Sequence, residues 1–421
     1  MGPTGMSNRE FDIVVYGATG FVGKLTAQYL ASAGRDARVA LAGRSQDKLQ
    51  AVRETLGESA QSWSLITADA SQPSTLDAMA ARTQVVVTTV GPYNRYGLPL
   101  VAACAAAGTD YADLTGEPMF MRESIDHYHK QAKDTGARIV HACGFDSVPS
   151  DLSVYALYRR ACDDDAGDLL DTTFVVRRMA GGLSGGTVAS ITDVLRAASG
   201  DPEIRRQLED PYTLTPDRAA EPEFGAQPDY PWRRGAQIAP ELDGIWTTGF
   251  MMASTNTRVV RRSNALQDWA YGARFRYSEC QSVGSSALAP VASAIASGVG
   301  AVATGLGSRY LDKVPERLVD RIVPKSGTGP SERTRERGHY TIETYTTTTN
   351  GARYRATMSQ QGDPGYKATS VLLGESGLAL ALDRNKLSGL LGVLTPAAAM
   401  GDALLARFRA AGVSLGIDRL N

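Results

Sequence analysis

A short apolar run, Asp12–Tyr16 (DIVVY), leads without a break into Gly17-Ala18-Thr19-Gly20-Phe21-Val22-Gly23, and an amphipathic stretch runs on from Phe21 to Ala33. Strand, glycine turn and helix in that order restrict this chain more than any other feature of it. Gly17 lets the backbone turn tightly, Gly20 lets backbone N–H groups approach a pyrophosphate, and Gly23 lets the helix pack closely on the sheet. The helix N-terminus then faces the phosphates with its partial positive charge. The spacing is GxxGxxG, so the loop is one residue longer than the usual GxGxxG. Three glycines alone also describe an ordinary turn, so the reading depends on the segments C-terminal to them.

Those segments form a series of the same kind. Arg38–Ala42, Ser64–Thr67, Gln84–Val90, Tyr111–Asp113 and Arg138–His141 read as strands with helical stretches between them, including Gln46–Leu56 and Pro99–Ala107. Such spacing implies right-handed crossovers and a parallel sheet. After Asp151 the rhythm changes. Thr172–Arg178, Thr257–Arg262, Arg274–Glu279 and Tyr340–Thr348 read as β-rich segments at irregular intervals, and Asn350-Gly351 between Thr-rich flanks predicts a type I′ hairpin. Six prolines between Asp210 and Pro240 exclude long regular elements there and predict a surface excursion or lid. Helical patterns return over Lys367–Leu382 and Ala397–Phe408. The expected fold class is α/β: a Rossmann-type parallel-sheet domain over 1–150, then an α+β domain on a mixed or antiparallel sheet over 151–390, with the proline-rich excursion at 210–240.

The end of the second strand discriminates between the two nicotinamide dinucleotides. An NAD site places Asp or Glu there for the ribose 2′-hydroxyl, whereas this chain has Gly43-Arg44-Ser45. Arg44 can hold a 2′-phosphate in a fork and Ser45 adds a donor, so NADP(H) is the expected cofactor. Gly17, Ala18, Thr19, Gly20, Phe21 and Val22 form the expected phosphate loop. Asp69 and Ala70 end the third strand where the adenine would lie, although Asp69 or Ser71 reads equally well as a cap ahead of Pro73. Val90 and Gly91, followed by Pro92-Tyr93, leave the fourth strand beside the ribose or nicotinamide; a Gly-Pro turn with a packed tyrosine is the plainer reading.

Composition narrows the partners. The 44 Lys and Arg against 45 Asp and Glu, a net charge of −1, argue against nucleic acid as a partner. Cys104, Cys143, Cys162 and Cys280 form no CxxC pair, which fits a reducing cytosol rather than a disulfide or zinc framework. Met1–Arg9 is short and polar and reads as a ragged start rather than a signal peptide. His127 and His129 point to different faces of one helix, so no metal is expected. Cys280–Ser308 carries no charge and is rich in Ala, Gly and Val. Its Pro290 and many glycines make a membrane span a poor reading beside buried small-residue helices or a lipid-facing wall. A cytoplasmic location with peripheral membrane contact fits, and a homodimer stays open.

The segments DIVVYGATGFVGKL, LAGRS, VGPYNRYG, YADLTGE and CGFDSVPSDL together resemble the saccharopine dehydrogenase-like oxidoreductases, and more narrowly the mycobacterial trans-acting enoyl reductases and their paralogues. The similarity continues through Arg261-Arg262-Ser263-Asn264-Ala265, the Thr-rich hairpin and Gly392–Gly401. The resemblance implies NADPH-dependent reduction of an α,β-double bond on a polyketide-derived lipid or acyl-carrier-bound chain, with a polyketide synthase as partner. It also implies that the C-terminal stretch 391–421 packs back on the Rossmann domain. A C=N or C=O reductase of amino-acid-like substrates, as the saccharopine name suggests, and a non-catalytic lipid-associated nucleotide-binding protein are the alternatives.

Enoyl reduction needs a hydride at the β-carbon, a donor to the developing enolate oxygen and a proton at the α-carbon. Tyr93 is the first choice of donor because of its loop, against the plainer reading of a structural tyrosine. Asp113, Thr115 and Glu117 close the fifth strand, and capping the helix from Phe120 explains Thr115 and Glu117 nearly as well as catalysis by Glu117 does. His141, Cys143, Asp146 and Ser147 follow the sixth strand; Asp146 is either a titrating acid or a turn former, and Ser150 reads as an N-cap.

Overall fold

The computed structural model describes residues 9–34, 36–181, 200–215, 220–225, 227–229, 233–285 and 329–421. Its first sheet holds β1 (Phe11–Tyr16), β2 (Val39–Gly43), β3 (Ser64–Thr67), β4 (Thr83–Thr88), β5 (Asp110–Ala112), β6 (Arg138–Val140) and β12 (Gly392–Leu394). The order is β12-β6-β5-β4-β1-β2-β3, with every neighbouring pair parallel. Every residue of β1 is buried, as a strand covered on both faces requires. Ile13 and Val15 join one core cluster with Leu30 and Leu378, while Val14 and Tyr16 join another with Met79, Leu100 and Phe120. The period-two alternation of one strand thus feeds two layers. Helices α1 (Phe21–Ala33) and α2 (Gln46–Thr55) follow β1 and β2, and α3 (Pro73–Ala81), α4 (Leu98–Ala107) and α5 (Pro118–Thr135) pack side by side. This is the expected Rossmann-type domain.

After α6 (Val148–Asp163) the chain enters the second sheet, of β7 (Leu169–Ala180), β8 (Trp246–Gly249), β9 (Arg276–Gly284), β10 (His339–Thr348), β11 (Arg353–Gln361) and β13 (Ser414–Arg419). The order is β13-β11-β10-β7-β9-β8; only β7 and β9 run parallel, so the sheet is mixed. The β10–β11 hairpin forms where Asn350-Gly351 predicts it, but its turn is not type I′. Gly351 has φ +82° and Asn350 is not among the positive-φ residues; Gly351 N–H bonds Thr348 O and Thr348 N–H bonds Ala352 O. A single left-handed glycine after a right-handed turn gives a three-residue loop.

Two local readings change. Thr257–Arg262, expected as β-rich, lies inside helix α7 (Ala253–Leu266), buried on almost every side. The alternation of polar and β-branched residues looks like a strand. Tertiary contacts decide otherwise, because the three buried arginines reach outward from a helix to hold the proline-rich excursion. Arg258 pairs with Asp229 and bonds Leu208 O at 2.7 Å, Arg261 bonds Pro211 O at 3.3 Å, and Arg262 bonds Leu214 O and Val393 O. Among the described residues of 210–240 the only regular elements are the turn-length helices Gly235–Gln237 and Pro240–Leu242.

The other concerns the C-terminal third. Helix α8 (Thr369–Leu382), placed by sequence in the second domain, packs on α1, β1 and β4 of the first sheet. Gly377 permits it, since a Cβ there would fall 2.6 Å from Val87 Cγ2. The stretch 391–421 is not only a helix. It adds β12 to the first sheet, forms α9 (Pro396–Ala410) against α6 and α8, and then returns as β13 to pair with β11. The chain therefore laces the two sheets together three times.

Among the described residues no helix is long and apolar enough to cross a membrane. Cys280–Gly284 belongs to strand β9, whereas the expected small-residue segment from 286 to 308, like the ragged start at 1–8, lies outside the described residues.

Candidate functional site

Parallel strands deliver their C-terminal ends to one edge, and the loops after β1, β2, β3, β4, β5 and β6 all gather there. The glycine loop sits at its centre. Gly17 has φ +87°, and a Cβ on it would fall 2.7 Å from Val90 Cγ2. Gly23 is under a harder constraint: its Cβ would lie 2.1 Å from Gly17 O. Gly20 differs from both. It stands at the N-cap of α1 with φ −74°, its N–H bonds Gly17 O at 2.9 Å, and it is exposed, with only Gly17 O at 3.2 Å from an added Cβ. Space above Gly20 and free first-turn N–H groups make a cradle that a side chain would fill, which fits a pyrophosphate.

Beside it, β2 ends in buried Gly43 and exposed Arg44, with no acid at the strand end. Arg44 and Asp69 both act electrostatically on Tyr16, whose hydroxyl is pushed up to about 12, chiefly by burial. Arg44 and Asp69 therefore share one corner of the edge. Ser45 accepts the Lys48 N–H at 3.4 Å as N-cap of α2, so its hydroxyl has a structural duty as well. Asp69 takes the N–H and hydroxyl of Ser71, both at 2.9 Å, which holds its carboxylate below the usual range and makes it a turn former. Ala70 follows it, half-buried.

On the other side of β1 the polar groups are turned inward. Tyr93, expected as proton or hydrogen-bond donor, is 6% exposed. Its hydroxyl donates to Thr88 O and accepts from Leu114 N–H, both at 3.2 Å, and its ring lies 5.6 Å from that of Phe120. Burial, with Asp113 nearby, raises this phenol well above its ordinary range. A hydroxyl locked in packed core cannot meet a substrate oxygen, so the donor role of Tyr93 is withdrawn. Glu117 is corrected for a related reason. Fully buried, its carboxylate takes the backbone N–H of Tyr93 at 3.0 Å and of Asn94 at 2.8 Å. It neither faces solvent nor caps its own helix α5; it pins the loop that carries Val90 and Gly91.

A further network was not read from the sequence. His141 Nδ1 lies 2.7 Å from Asp113 Oδ2 and Nε2 lies 2.8 Å from Ser124 Oγ, while Asp113 also takes the Tyr111 hydroxyl and the N–H groups of Thr115 and Ala142. All three are buried, so this serine, histidine and aspartate tie β5, β6 and α5 together. Asp146 is unlike them: it is half-buried, in the loop between β6 and α6. Next to it Ser147 donates to Asn256 Oδ1 of α7 at 2.8 Å.

The second domain roofs this edge at three places. Phe21 of the glycine loop meets Tyr366 edge-on at 4.9 Å, with the Arg335 guanidinium 5.2 Å from its centre. Phe145 packs on Tyr340 at 4.7 Å and its N–H bonds Thr369 Oγ1 at 2.9 Å. Thr255 bonds Gly116 O at 3.0 Å. These contacts join residues 139 or more positions apart, and no local pattern announces them. Among the described residues no group of three His, Cys, Asp or Glu is placed to hold a metal.

Comparison with known proteins agrees with the geometry. Residues 13–140 match the model of the saccharopine dehydrogenase NADP binding domain. The chain is 74% identical over 412 residues, 98% of both chains, to a Mycobacterium tuberculosis protein provisionally named a trans-acting enoyl reductase. It is 65% identical over 416 residues, 99% of both, to the trans-acting enoyl reductase of Mycobacterium bovis BCG. The apo saccharopine dehydrogenase (L-Glu forming) of Saccharomyces cerevisiae shares the fold, with a TM-score of 0.55 at 12% identity, covering 97% of this chain and 99% of that one.

Proposed function

The chain belongs to the saccharopine dehydrogenase-like oxidoreductases, in the group of the mycobacterial trans-acting enoyl reductases, and from that premise we propose that it reduces an α,β-double bond on a carrier-bound acyl chain supplied by a separate polyketide synthase. It is an NADP-dependent oxidoreductase. What supports the finer reading is relatedness over the whole length to proteins of that name, second domain included, because the second domain is where a substrate would be selected.

Bound NADPH supplies a hydride for the β-carbon. The chain's own residues do the rest. Gly17, Ala18, Thr19, Gly20, Phe21 and Val22 would hold the phosphates, Arg44 and Ser45 would hold the 2′-phosphate, and Asp69 and Ala70 would border the adenine. Glu117 fixes the loop after β4, whose Val90 and Gly91 would flank the nicotinamide. With Tyr93 and Glu117 turned into the core, Asp146, half-buried in the loop after β6, is the remaining candidate, and it would hold the proton for the α-carbon, directly or through one water.

The test is NADPH oxidation by the purified protein with enoyl thioesters on an acyl carrier. Turnover is expected, and Asp146→Asn should lower it with NADPH affinity unchanged. Oxidation by an amino-acid and keto-acid mixture, with none by enoyl thioesters, would move the chain to C=N or C=O chemistry.

A further inference from the structure

We propose that Arg335, a residue of the second domain, is a ligand of the cofactor's pyrophosphate, so that the nucleotide site is completed across the domain boundary. The inference rests on the NADP assignment and starts from Phe21. This is the first residue of α1, and its N–H is one of the helix-end donors that face the phosphates. The second domain packs on its half-buried ring. Tyr366 meets it edge-on, the backbone of Gly329 is so close that a Cβ there would fall 2.3 Å from the ring, and the Arg335 guanidinium stands over it at 5.2 Å. Arg335 therefore lies next to the first turn of α1.

Among the described residues Arg335 has no carboxylate within ion-pair distance, and its guanidinium makes one hydrogen bond, from Nη1 to Pro330 O at 2.7 Å. A guanidinium carries five N–H donors, so most remain available. Asp363, whose carboxyl feels the Arg335 charge, accepts Lys367 N–H at Oδ1, while its Oδ2 is buried without a hydrogen-bond partner among the described residues. Neighbouring Lys367 lies 3.8 Å from Glu336 and is partly neutralised. The glycine loop and helix end offer only partial charges to a dianionic pyrophosphate. A planar fork held over Phe21 by its ring adds a full charge in the geometry that phosphate oxygens accept.

Arg335 and Arg44 then make opposite predictions. Arg44 reads the 2′-phosphate, which only NADPH has; Arg335 reads the pyrophosphate, which NADPH and NADH share. Titration of the full chain with both cofactors should show Arg335→Ala weakening both by the same factor, about tenfold, as for one charge-assisted hydrogen bond. Arg335→Lys should recover part of the loss, since it keeps the charge and drops the fork. The salt dependence of binding should also flatten in Arg335→Ala, a readout that a packing role over Phe21 would not move. Unchanged affinity in the folded variant, a loss confined to NADPH, or a loss with the salt dependence intact would each overturn the proposal. Failure of the unaltered chain to bind either cofactor would instead strike the NADP assignment beneath it.

Discussion

The two halves of the sheet's C-terminal edge use similar residues for opposite ends. On the β1–β2–β3 side Arg44, Ser45 and Asp69 are half-buried or exposed, and the glycine loop leaves space above Gly20. On the β4–β5–β6 side Tyr93, Asp113, Glu117, Ser124 and His141 are buried and hydrogen-bonded to one another or to backbone. A titratable residue at such an edge is thus no evidence of chemistry by itself. What separates ligand-facing groups from scaffold is whether their hydrogen-bonding capacity is already used within the protein.

The sharpest way to break that contrast is at the open side. Gly20→Val should abolish cofactor binding while the domain stays folded, because an added side chain meets only one backbone oxygen at 3.2 Å yet fills the pyrophosphate space. Gly23→Ala should instead unfold or distort the loop, since its Cβ cannot coexist with Gly17 O. Circular dichroism beside cofactor titration separates the two, and retained binding in a folded Gly20→Val protein would remove the phosphate loop.

Burial on the closed side should appear as a pH effect on stability. Asp151 of α6 is fully buried, with Oδ1 taking the Ser263 hydroxyl at 2.5 Å and Oδ2 the Ala397 N–H at 2.8 Å, and burial pushes its carboxyl up to about 7. The unfolded group ionises near pH ~4. Between about pH 4 and 7 the folded state holds the extra proton, so stability falls as pH rises through this window, by a few kcal/mol in round terms, and levels above it. Buried Glu279 is pushed up to about 7 as well and adds to this slope, so melting temperature against pH should show it and Asp151→Asn should reduce it by roughly half. An equal slope in the variant would assign the effect to another group.

Tyr93→Phe is the smallest of these effects. Losing a hydroxyl that bonds Thr88 O and Leu114 N–H should cost about 1 kcal/mol in stability and leave cofactor affinity intact. A large drop in turnover without loss of stability would restore the tyrosine to the chemistry.

The same contrast explains how much could be read from the sequence. The parallel sheet was legible because β1 to β6 each carry a short apolar run ahead of a turn signal, and the exposed position of Arg44 was legible because strand end and helix start bracket it. The inward rotation of Tyr93 was not, since it depends on Glu117 accepting two N–H groups from a loop more than twenty residues away. Helix α7 was not legible because Thr257–Arg262 has the local pattern of a strand, and its arginines are explained by partners distant in sequence: Asp229, carbonyls in and beside the proline-rich excursion, and Val393 O. The roof over Phe21 required knowing that residues 329–368 return to the first loop.

If the open half of the edge is built for NADPH, a paired titration will show it. NADPH and NADH are titrated against the unaltered protein and against Arg44→Ala. NADPH should bind more tightly than NADH to the unaltered protein, and Arg44→Ala should lose roughly 10- to 100-fold for NADPH, the worth of about 1.5–3 kcal/mol for hydrogen bonds to a charge, while NADH hardly changes. Equal losses for the two cofactors, or no preference in the unaltered protein, would contradict it.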